Sequence, residues 1–409
     1  MRVNMQRNRS LGRLLVLGIA AASVLSGCSS TLLSGGVAVQ TVGSLVHPSL
    51  AISLPNNASN VQLDAPVTVT ATHGTIAHVY LSVKGQETSP VPGSVNAQDT
   101  VWTSTGNLAP TTTYLLEASA TNPAGDVSTK EETFTTLTPP KRLLTGVTPV
   151  NGATVGIGMV IMLHFNTSIP DSFKAGITSH IIIETSTPMV GAWRWVTPWD
   201  VHWRPENYWT PGTHVIINAH LDGVDAGNGY YGLGNWTSSF TIGAAHITYV
   251  DETPGVDTAK VYNNGQLVYT FPISGGTSKY PTIQGTLMVY GMTYNVLMDS
   301  RTIGIPLGAP GSYYEHVFWD TAVSTDGYYM HAAPWNNELG VANISHGCIN
   351  MSTADAETFF KFSQVGDLVI VSHTILNASY ADGEGDWNTP FTSYGNYGNQ
   401  SQTTTLIPA

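Results

Sequence analysis

A histidine and a cysteine in the last quarter of the chain are the residues best suited to do chemistry. His331 stands in the segment YYMHAAPW, and thirteen residues separate it from Ser345, the first residue of the segment SHGC that ends at Cys348. A thiol becomes a nucleophile near neutral pH when a neighbouring base or cation favours the thiolate. His331 can supply that base and then pass the proton to a leaving amine. The pair predicts acyl transfer through a thioester.

The residues beside the cysteine supply a second part of the same chemistry. Gly347 permits unusual backbone angles, so the N–H groups of Gly347 and Cys348 are predicted to point at a developing oxyanion. If His331 activates Cys348, the thiolate is expected to be populated well below the ordinary thiol pKa of about 8.5.

The only other cysteine, Cys28, lies near the N-terminus. A basic start is followed by the short apolar segment 14–25, which is typical of a signal peptide over residues 1–27. The ending LSGC resembles the bacterial lipobox, which predicts a lipidated Cys28 at the mature N-terminus. We therefore expect an exported protein, anchored by lipid to the outer face of the plasma membrane and facing the cell wall. With Cys28 committed to lipid, Cys348 has no intramolecular disulfide partner.

The composition limits the partners of the chain. Charged residues make up 10% of the sequence, the formal net charge is −12, and no cluster of Lys and Arg occurs after residue 13. Neutralising phosphates requires concentrated cations. The sequence therefore predicts no nucleic-acid partner.

Two other interpretations of the Cys and His residues compete with catalysis. A solitary Cys in an exported protein can be a buried, inert side chain. A zinc site is the second alternative, but the spacings match no common zinc motif. The candidate ligands for it are His316, His331, His346 and Cys348. We predict no metal and no cofactor.

The segments around the predicted site alternate like β-strands. Short alternating runs separated by turn formers predict an immunoglobulin-like β-sandwich over residues 49–138, after a tether over 28–48. A second such domain is predicted over 139–243. Its tryptophans at 193 and 195 lie two apart on one strand face, which favours packing over a sugar-binding shelf.

The third domain is predicted over residues 244–373. It begins with strands that include a turn at the NNG of residues 263–265. One late helix is predicted after the cap pair Ser352 and Asp355, ending before Gly366, and a buried strand closes the domain. Residues 374–409 lack periodicity and are expected to form a largely irregular tail, with aromatic residues able to pin part of it onto a domain. The predicted fold class is mainly β.

The third domain resembles the L,D-transpeptidase (YkuD-type) family. The resemblance lies in MHAAPW followed by ISHGCIN, and extends to FPISGG, YPTIQG and MDSRTIGIP. Two preceding immunoglobulin-like domains and a lipoprotein leader are similar to the mycobacterial type. The resemblance implies a β-rich catalytic domain.

The resemblance also implies roles for individual residues. Cys348 matches the nucleophile and His331 the general acid/base, whose second ring nitrogen is held by the carbonyl of Ala332. Gly347 and Cys348 match the oxyanion donors, and His346 is expected to shape their loop. The residues that match substrate contacts are Tyr313, Asp326, Gly327 and Asn350, with Trp335 as a wall of the pocket. Two departures are a loop before Ser345 that is about one residue shorter, and Ile303 where close relatives carry Tyr.

The function implied is peptidoglycan cross-linking. Cys348 attacks the carbonyl at the L-centre of the third residue of a stem tetrapeptide and expels D-Ala, and an amine of a neighbouring stem completes a 3→3 cross-link. Carbapenem β-lactams are expected to inhibit by acylating the same sulfur. The alternatives are an L,D-carboxypeptidase, in which water replaces the amine, and a non-catalytic wall-binding lipoprotein.

Overall fold

The computed structural model describes residues 46–86, 88–380, 383 and 385–408. The predicted signal peptide, Cys28 and nearly all of the predicted tether lie outside these residues. No helix in the described part of the chain is long and apolar enough to span a bilayer. The mainly β fold class predicted from the sequence is confirmed.

Two four-stranded sheets form the first sandwich. Its strands are β1 (Ser49–Ile52), β2 (Ala58–Val61), β3 (Thr68–Thr72), β4 (Thr75–Val83), β5 (Gly93–Val95), β6 (Val101–Ser104), β7 (Thr113–Thr121) and β8 (Val127–Thr136). The sheet orders are β1-β3-β6-β5 and β2-β8-β7-β4. Alternate residues of β7 are buried, including Tyr114 and Leu116, and pack with Trp102 and Phe134 between the sheets. This alternation is the pattern expected of a half-buried strand.

The second sandwich contains a helix that the sequence pattern did not predict. Its elements are β9 (Lys141–Leu143), β10 (Thr145–Thr148), β11 (Ala153–Val155), β12 (Ile161–Phe165), α1 (Asp171–Ser179), β13 (Ile181–Thr185), β14 (Val190–Trp195), β15 (Asp200–Pro205), β16 (His214–Ala219), β17 (Tyr230–Gly232) and β18 (Trp236–Ile242). The helix has only nine residues, one of them Gly176, so its helical signal is weak. Trp193 and Trp195 are buried in the core, as their spacing predicts.

The C-terminal domain is built on a six-stranded and a four-stranded sheet. Its elements are β19 (His246–Asp251), β20 (Thr258–Asn263), β21 (Gln266–Pro272), β22 (Ile283–Met288), β23 (Gly291–Asp299), β24 (Tyr314–Ala322), β25 (Tyr329–Ala332), β26 (Ile349–Met351), α2 (Thr353–Phe362) and β27 (Leu368–Ser372). The turn at 264–265 joins β20 to β21. Ser352 caps α2 by accepting from the Asp355 N–H, as the sequence predicts.

The segment after residue 373 carries short elements rather than irregular chain alone. They are β28 (Leu376–Asn377), α3 (Gly385–Asn388), β29 (Gln402–Thr403) and β30 (Thr405–Leu406). Strand β29 extends one sheet of the second sandwich beside β14, and β30 extends the other beside β13. We call residues 385–408 the C-terminal strap. It lacks a sequence period because each of its strands is only two residues long.

The strap binds both neighbouring domains through side chains. In the second sandwich the Trp387 indole donates to the Gly158 carbonyl at 2.7 Å. In the C-terminal domain the Asn388 amide bonds the N–H and the carbonyl of Thr286, at 2.9 and 2.8 Å. The strap therefore fixes the C-terminal domain against the second sandwich.

Candidate active site

Two neighbouring strands bring the predicted catalytic residues together. Strands β25 and β26 are parallel, with His331 opposite Asn350, and Cys348 immediately precedes β26. His331 and Cys348 line one cavity of ≈ 840 Å³. Parallel strands need a long connection, and residues 333–348 supply it between β25 and β26. The two strands are therefore neighbours in the sheet although they are far apart in the sequence.

The orientation of His331 is fixed from both sides of its ring. Its Nδ1 lies 2.9 Å from the Ala332 carbonyl, which can only accept, so we assign the proton to Nδ1. The Asn350 amide nitrogen lies 3.2 Å from Nε2 and donates to it. Asn350 is oriented in turn by Asn336, whose amide donates to its oxygen at 3.0 Å. Nε2 is therefore the unprotonated nitrogen, and its one lone pair accepts from Asn350, so it can act as a base only when that hydrogen bond is released.

Asn336 is a site residue that sequence reasoning missed. It is buried and lies five residues after His331 in the crossover, where no motif letter points to it. Asn350, predicted as a substrate contact, lines the cavity, but the structure also uses its amide to hold His331. The sequence offers no signal for Asn336 beyond its place in the crossover between β25 and β26.

Both reacting groups are electrically neutral near pH 7. Burial raises the pKa of the Cys348 thiol to about 11, the Asp320 carboxyl adds to this, and a backbone hydrogen bond from Tyr329 opposes it. Burial lowers the pKa of His331, against the hydrogen bond to Ala332. The direction of this shift opposes the thiolate expected well below pH 8.5, which stays a prediction. A neutral imidazole offers no cation to stabilise a thiolate, so the proton must move during attack.

The turn before Cys348 is braced by Ser345. Its hydroxyl accepts from the Gly347 N–H at 3.1 Å and donates to the Cys348 carbonyl at 2.5 Å. Gly347 has φ +118°, and a Cβ there would lie 3.0 Å from the Tyr328 ring. Only glycine fits this turn. Because the Gly347 N–H is already bonded to Ser345, the predicted oxyanion role rests on the Cys348 N–H.

His346 forms a wall of the cavity. Its ring lies 4.9 Å from that of Tyr280 and 5.3 Å from that of Tyr313. Burial, with nearby Lys279, lowers its pKa and keeps the imidazole neutral. Burial raises the pKa of Tyr313 to about 12, and the charge of a Cys348 thiolate adds to this. The Tyr313 hydroxyl therefore keeps its proton and can donate to a substrate carbonyl or carboxylate.

A long hairpin covers one side of the cavity. Strands β23 and β24 pair antiparallel, and the loop between them contains a 3-10 turn at Ser300–Ile303. Ile303 is 44% exposed and lines the cavity with Tyr313. The opposite rim contains the Asp326-Gly327 turn and Trp335, whose ring is 6.4 Å from that of His331. The structure thus brings all the predicted substrate contacts to one opening.

A buried carboxyl supports the SHGC turn from below. Ser345 donates its N–H to the Gly275 carbonyl at 2.9 Å. A Cβ at Gly275 would lie 2.0 Å from the carboxyl carbon of Glu252, so Glu252 packs directly on this backbone. Burial raises the pKa of Glu252 to about 7, a hydrogen bond from Thr282 lowers it, and Asp257 raises it. Glu252 therefore becomes charged only as the pH passes neutrality.

The candidate zinc ligands do not converge. Within the described ranges, no three His, Cys, Asp or Glu side chains are placed to hold one metal ion. His316 instead lies on the hairpin, with Nδ1 2.6 Å from the Asn295 oxygen. The site contains a thiol and an unprotonated imidazole nitrogen that line one cavity. These are the groups that a cysteine-dependent acyltransferase requires.

Comparisons with known proteins agree with this class. The L,D-transpeptidase catalytic domain family matches residues 253–371, and the bacterial Ig domain family matches residues 58–225. L,D-transpeptidase 2 of Mycobacterium tuberculosis is 35% identical over 349 residues, which are 85% of this chain and 84% of that protein. L,D-transpeptidase 1 of the same organism is 33% identical over 243 residues, 58% of this chain and 89% of that protein.

A solved structure of an L,D-transpeptidase in complex with imipenem is 33% identical and covers 57% of this chain and 100% of its own, with a TM-score of 0.49. The chain belongs to the L,D-transpeptidase family, and the enzyme is of the acyltransferase type.

Proposed function

We propose that this protein forms 3→3 cross-links between peptidoglycan stem peptides through a thioester on Cys348. The observation that carries the proposal is the His331 ring, which lines the same cavity as Cys348 and has its proton fixed on Nδ1 by the Ala332 carbonyl, leaving Nε2 unprotonated. Membership of the L,D-transpeptidase family supports peptidoglycan as the substrate class.

The first step breaks the bond between the third residue of the donor tetrapeptide and its terminal D-Ala. His331 Nε2 releases its hydrogen bond with Asn350 and takes the Cys348 proton as the sulfur attacks the carbonyl carbon. The imidazolium then gives that proton to the departing D-Ala nitrogen. A thioester on Cys348 and free D-Ala are the products.

The second step consumes the thioester. The side-chain amine of a neighbouring stem attacks the carbonyl, His331 takes a proton from that amine, and the same proton returns to the leaving sulfur. A new amide bond replaces the thioester and the free thiol is restored. Trp335 and the hairpin around Ile303 border the cavity. Attack by water instead of the amine would yield the carboxypeptidase product.

β-Lactams of the carbapenem class are proposed to acylate the same sulfur. Imipenem is present in the solved relative, which is 33% identical to this chain. Its strained amide would be opened by Cys348, with the proton passing through His331 to the ring nitrogen.

Incubation of the purified protein with a disaccharide-tetrapeptide tests the proposal. Mass spectrometry should find free D-Ala and a dimer joined 3→3, and imipenem should add its intact mass to the peptide that contains Cys348. The Cys348→Ala variant should give neither product. A monomeric tripeptide as the sole product would replace the proposal with the carboxypeptidase, and no turnover by the wild type would favour the wall-binding lipoprotein.

We further propose that the protein is exported and anchored by lipid on Cys28, at the outer face of the plasma membrane. The basic start, the apolar segment 14–25 and the LSGC ending support this. The native protein should partition with membranes, since two or more acyl chains hold a protein stably. Cys28→Ala should move it to the soluble extracytoplasmic fraction. An unlipidated native N-terminus would contradict the anchor.

A further inference from the structure

Asn336, in the crossover between β25 and β26, is held by hydrogen bonds at both ends of its side-chain amide. It is 6% exposed and lines the cavity. Its oxygen accepts from the backbone N–H of Glu338 at 2.9 Å, and its nitrogen donates to the Asn350 oxygen at 3.0 Å. Its own backbone N–H donates to the Ala333 carbonyl at 2.9 Å. A buried amide that is engaged at both ends has a fixed direction.

The direction of this amide decides the direction of the next one. A backbone N–H can only donate, so the oxygen of Asn336 must face Glu338 and its nitrogen must face Asn350. Asn350 therefore accepts with its oxygen and presents its nitrogen to His331 Nε2 at 3.2 Å. An amide N–H does not bond to a second N–H, so Nε2 is the unprotonated nitrogen and Nδ1 donates to the Ala332 carbonyl. We call this chain of hydrogen bonds the amide relay.

The backbone holds the members of the amide relay in place. His331 lies opposite Asn350 in the parallel pair of β25 and β26. On its other side Asn350 exchanges both backbone hydrogen bonds with Ser274, at 2.8 and 3.1 Å. The His331 and Asn350 residues are each 5% exposed. Neither amide can therefore turn without losing bonds that water is poorly placed to replace.

We propose that Asn336 is a positioning residue for the base: through Asn350 it keeps the His331 proton on Nδ1 and leaves Nε2 unprotonated. The inference rests on the proposed function, because it names the residue that prepares the base of that reaction. The crossover therefore does more than connect two strands, since it carries the group that sets the protonation of His331.

Asn350 alone does not fix the tautomer of His331. An amide can turn by half a rotation with almost no change in shape, and its oxygen would then face Nε2 and favour a proton there. Because the Ala332 carbonyl already holds the proton on Nδ1, the ring would carry both protons and a positive charge. An imidazolium cannot take the proton of the Cys348 thiol. Asn336 removes this alternative by occupying the Asn350 oxygen.

The other titratable groups around His331 do not take part in the amide relay. The carboxyls on the cavity are those of Asp299, Glu315 and Asp326, and β24 also carries Asp320. The groups there that are neutral near pH 7 are Tyr313, Tyr329, His346 and Cys348. Those on α2 bond within the helix or to its cap, Glu357 to Lys361 and Asp355 to Ser352. All of them are the same in the wild type and in variants at residue 336.

Nitrogen NMR of the full-length protein between pH 5.5 and 8.5 reads the protonation of His331 without a substrate. The signals of His331 are identified by their absence from the His331→Gln variant. In the wild type the proton should be on Nδ1 and Nε2 should be unprotonated at pH 7, because burial and the amide relay both disfavour the imidazolium. A wild-type ring that carries a proton on Nε2 at pH 7 would overturn the inference.

Asn336→Asp is the decisive variant, because an ionised carboxylate can only accept. The Glu338 N–H would still bond to one oxygen, and Asn350 would have to turn its nitrogen toward the other. The Asn350 oxygen would then face Nε2, so the pKa of His331 should rise by about one unit or more, a tenfold change in the ratio of charged to neutral ring. The acid limb of the kcat/KM profile should move to higher pH by the same amount, since the base must be neutral.

Two controls separate the amide relay from the added charge. Asn337→Asp places the same charge at the next, exposed position and should follow the wild type. In an Asn350→Ala background the relay is absent, so Asn336→Asp should no longer shift the pKa of His331. A shift of equal size in that background, or no shift in the single variant, would overturn the inference. If Asn336→Asp does not fold, Asn336→Leu removes the donor without a charge and should raise the pKa of His331 by a smaller amount.

Cross-linking and imipenem acylation by the wild type are measured in parallel. Cross-linking together with an unshifted His331 in Asn336→Asp would leave the proposed function standing and reject the role of Asn336. A shifted His331 in a protein that neither cross-links nor is acylated would uphold the role of Asn336 and reject the proposed function.

Discussion

Two buried aspartates in this protein have pKa values that are shifted in opposite directions. Asp386, in the C-terminal strap, is buried, but His202 at 2.8 Å and the Tyr394 hydroxyl at 2.6 Å bond to it, and its pKa is lowered. Asp320, on β24 of the C-terminal domain, has no such side-chain partners among the described residues, and burial raises its pKa to about 7.

The surroundings of Asp386 explain the difference. Burial alone would raise the pKa of Asp386, and the positive charges of His202 and Arg204 with the two hydrogen bonds outweigh it. The Arg204 guanidinium lies 4.4 Å from the Tyr394 ring and 4.7 Å from the Trp387 ring. Such stacking stabilises a buried cation. The carboxylate of Asp386 is stabilised by side chains of the second sandwich and the strap, whereas only backbone N–H groups oppose the effect of burial at Asp320.

The largest expected effect is the loss of activity when the proposed nucleophile, Cys348, is replaced. Cys348→Ala should abolish cross-linking and the imipenem adduct, because no other group at the site forms a thioester. Its unfolding free energy should stay within about 1 kcal/mol of the wild-type value, since the side chain is partly exposed and unbranched. Enzyme assays and urea denaturation check both statements. Activity retained by the variant would falsify the proposal that Cys348 is the nucleophile.

The strap should respond in the reverse manner. Asp386→Ala leaves His202 and Arg204 buried without their anion, and we expect a loss of about 3–5 kcal/mol in unfolding free energy. Catalysis per folded molecule should change little. Glu357→Ala, which breaks an exposed pair with Lys361, serves as the control at about 0.3–0.5 kcal/mol. Equal losses in the two variants would show that the strap network contributes no more than a surface pair.

The pH dependence of the unfolding free energy extends the comparison to a third buried carboxyl, Glu252. Its pKa is about 7 in the folded protein and 4.5 ordinarily, so its contribution to stability is complete below about pH 4.5 and lost as the pH rises through 7. Glu252→Gln should therefore match the wild type near pH 4.5 and be more stable by about 2–3 kcal/mol at pH 8. Denaturation curves at both pH values measure this. A difference that does not depend on pH would mean that Glu252 is partnered like Asp386.

The smallest expected effect concerns the hairpin. Ile303→Tyr adds a hydroxyl at an exposed position on the cavity rim, and one additional hydrogen bond should strengthen substrate binding by about 1 kcal/mol. KM should fall while kcat stays nearly constant. Steady-state kinetics with the tetrapeptide as substrate measure both constants. An unchanged KM would show that the hairpin holds the substrate by other contacts.

Local patterns in the sequence predicted what depends on near neighbours. The cap of α2 and the turn at 264–265 involve residues a few positions apart. The contact of His331 with the Ala332 carbonyl was implied by the family resemblance instead. The raised pKa of the Cys348 thiol and the left-handed Trp319 could not be predicted, because both arise from tertiary packing.

The contact between His202 and Asp386 joins positions 184 residues apart, for which one sequence holds no signal. Helix α1 was missed for the opposite reason, since its local signal is weak and its stability comes from packing. Lys174 of that helix is buried with its ammonium 3.9 Å from the Tyr397 ring of the strap.

The strands at the end of the chain set an order of events during biosynthesis. Thr185 of β13 bonds to Thr404, 219 positions later, and β29 and β30 complete both sheets of the second sandwich. Chains emerge from their N-terminus, so these two sheet edges stay open until residues 402–406 have been made. Non-local strand pairing is also intrinsically slow. The second sandwich therefore cannot be complete before the C-terminal domain has been synthesised, and a chain that stops before residue 402 would present two unprotected strand edges to its neighbours.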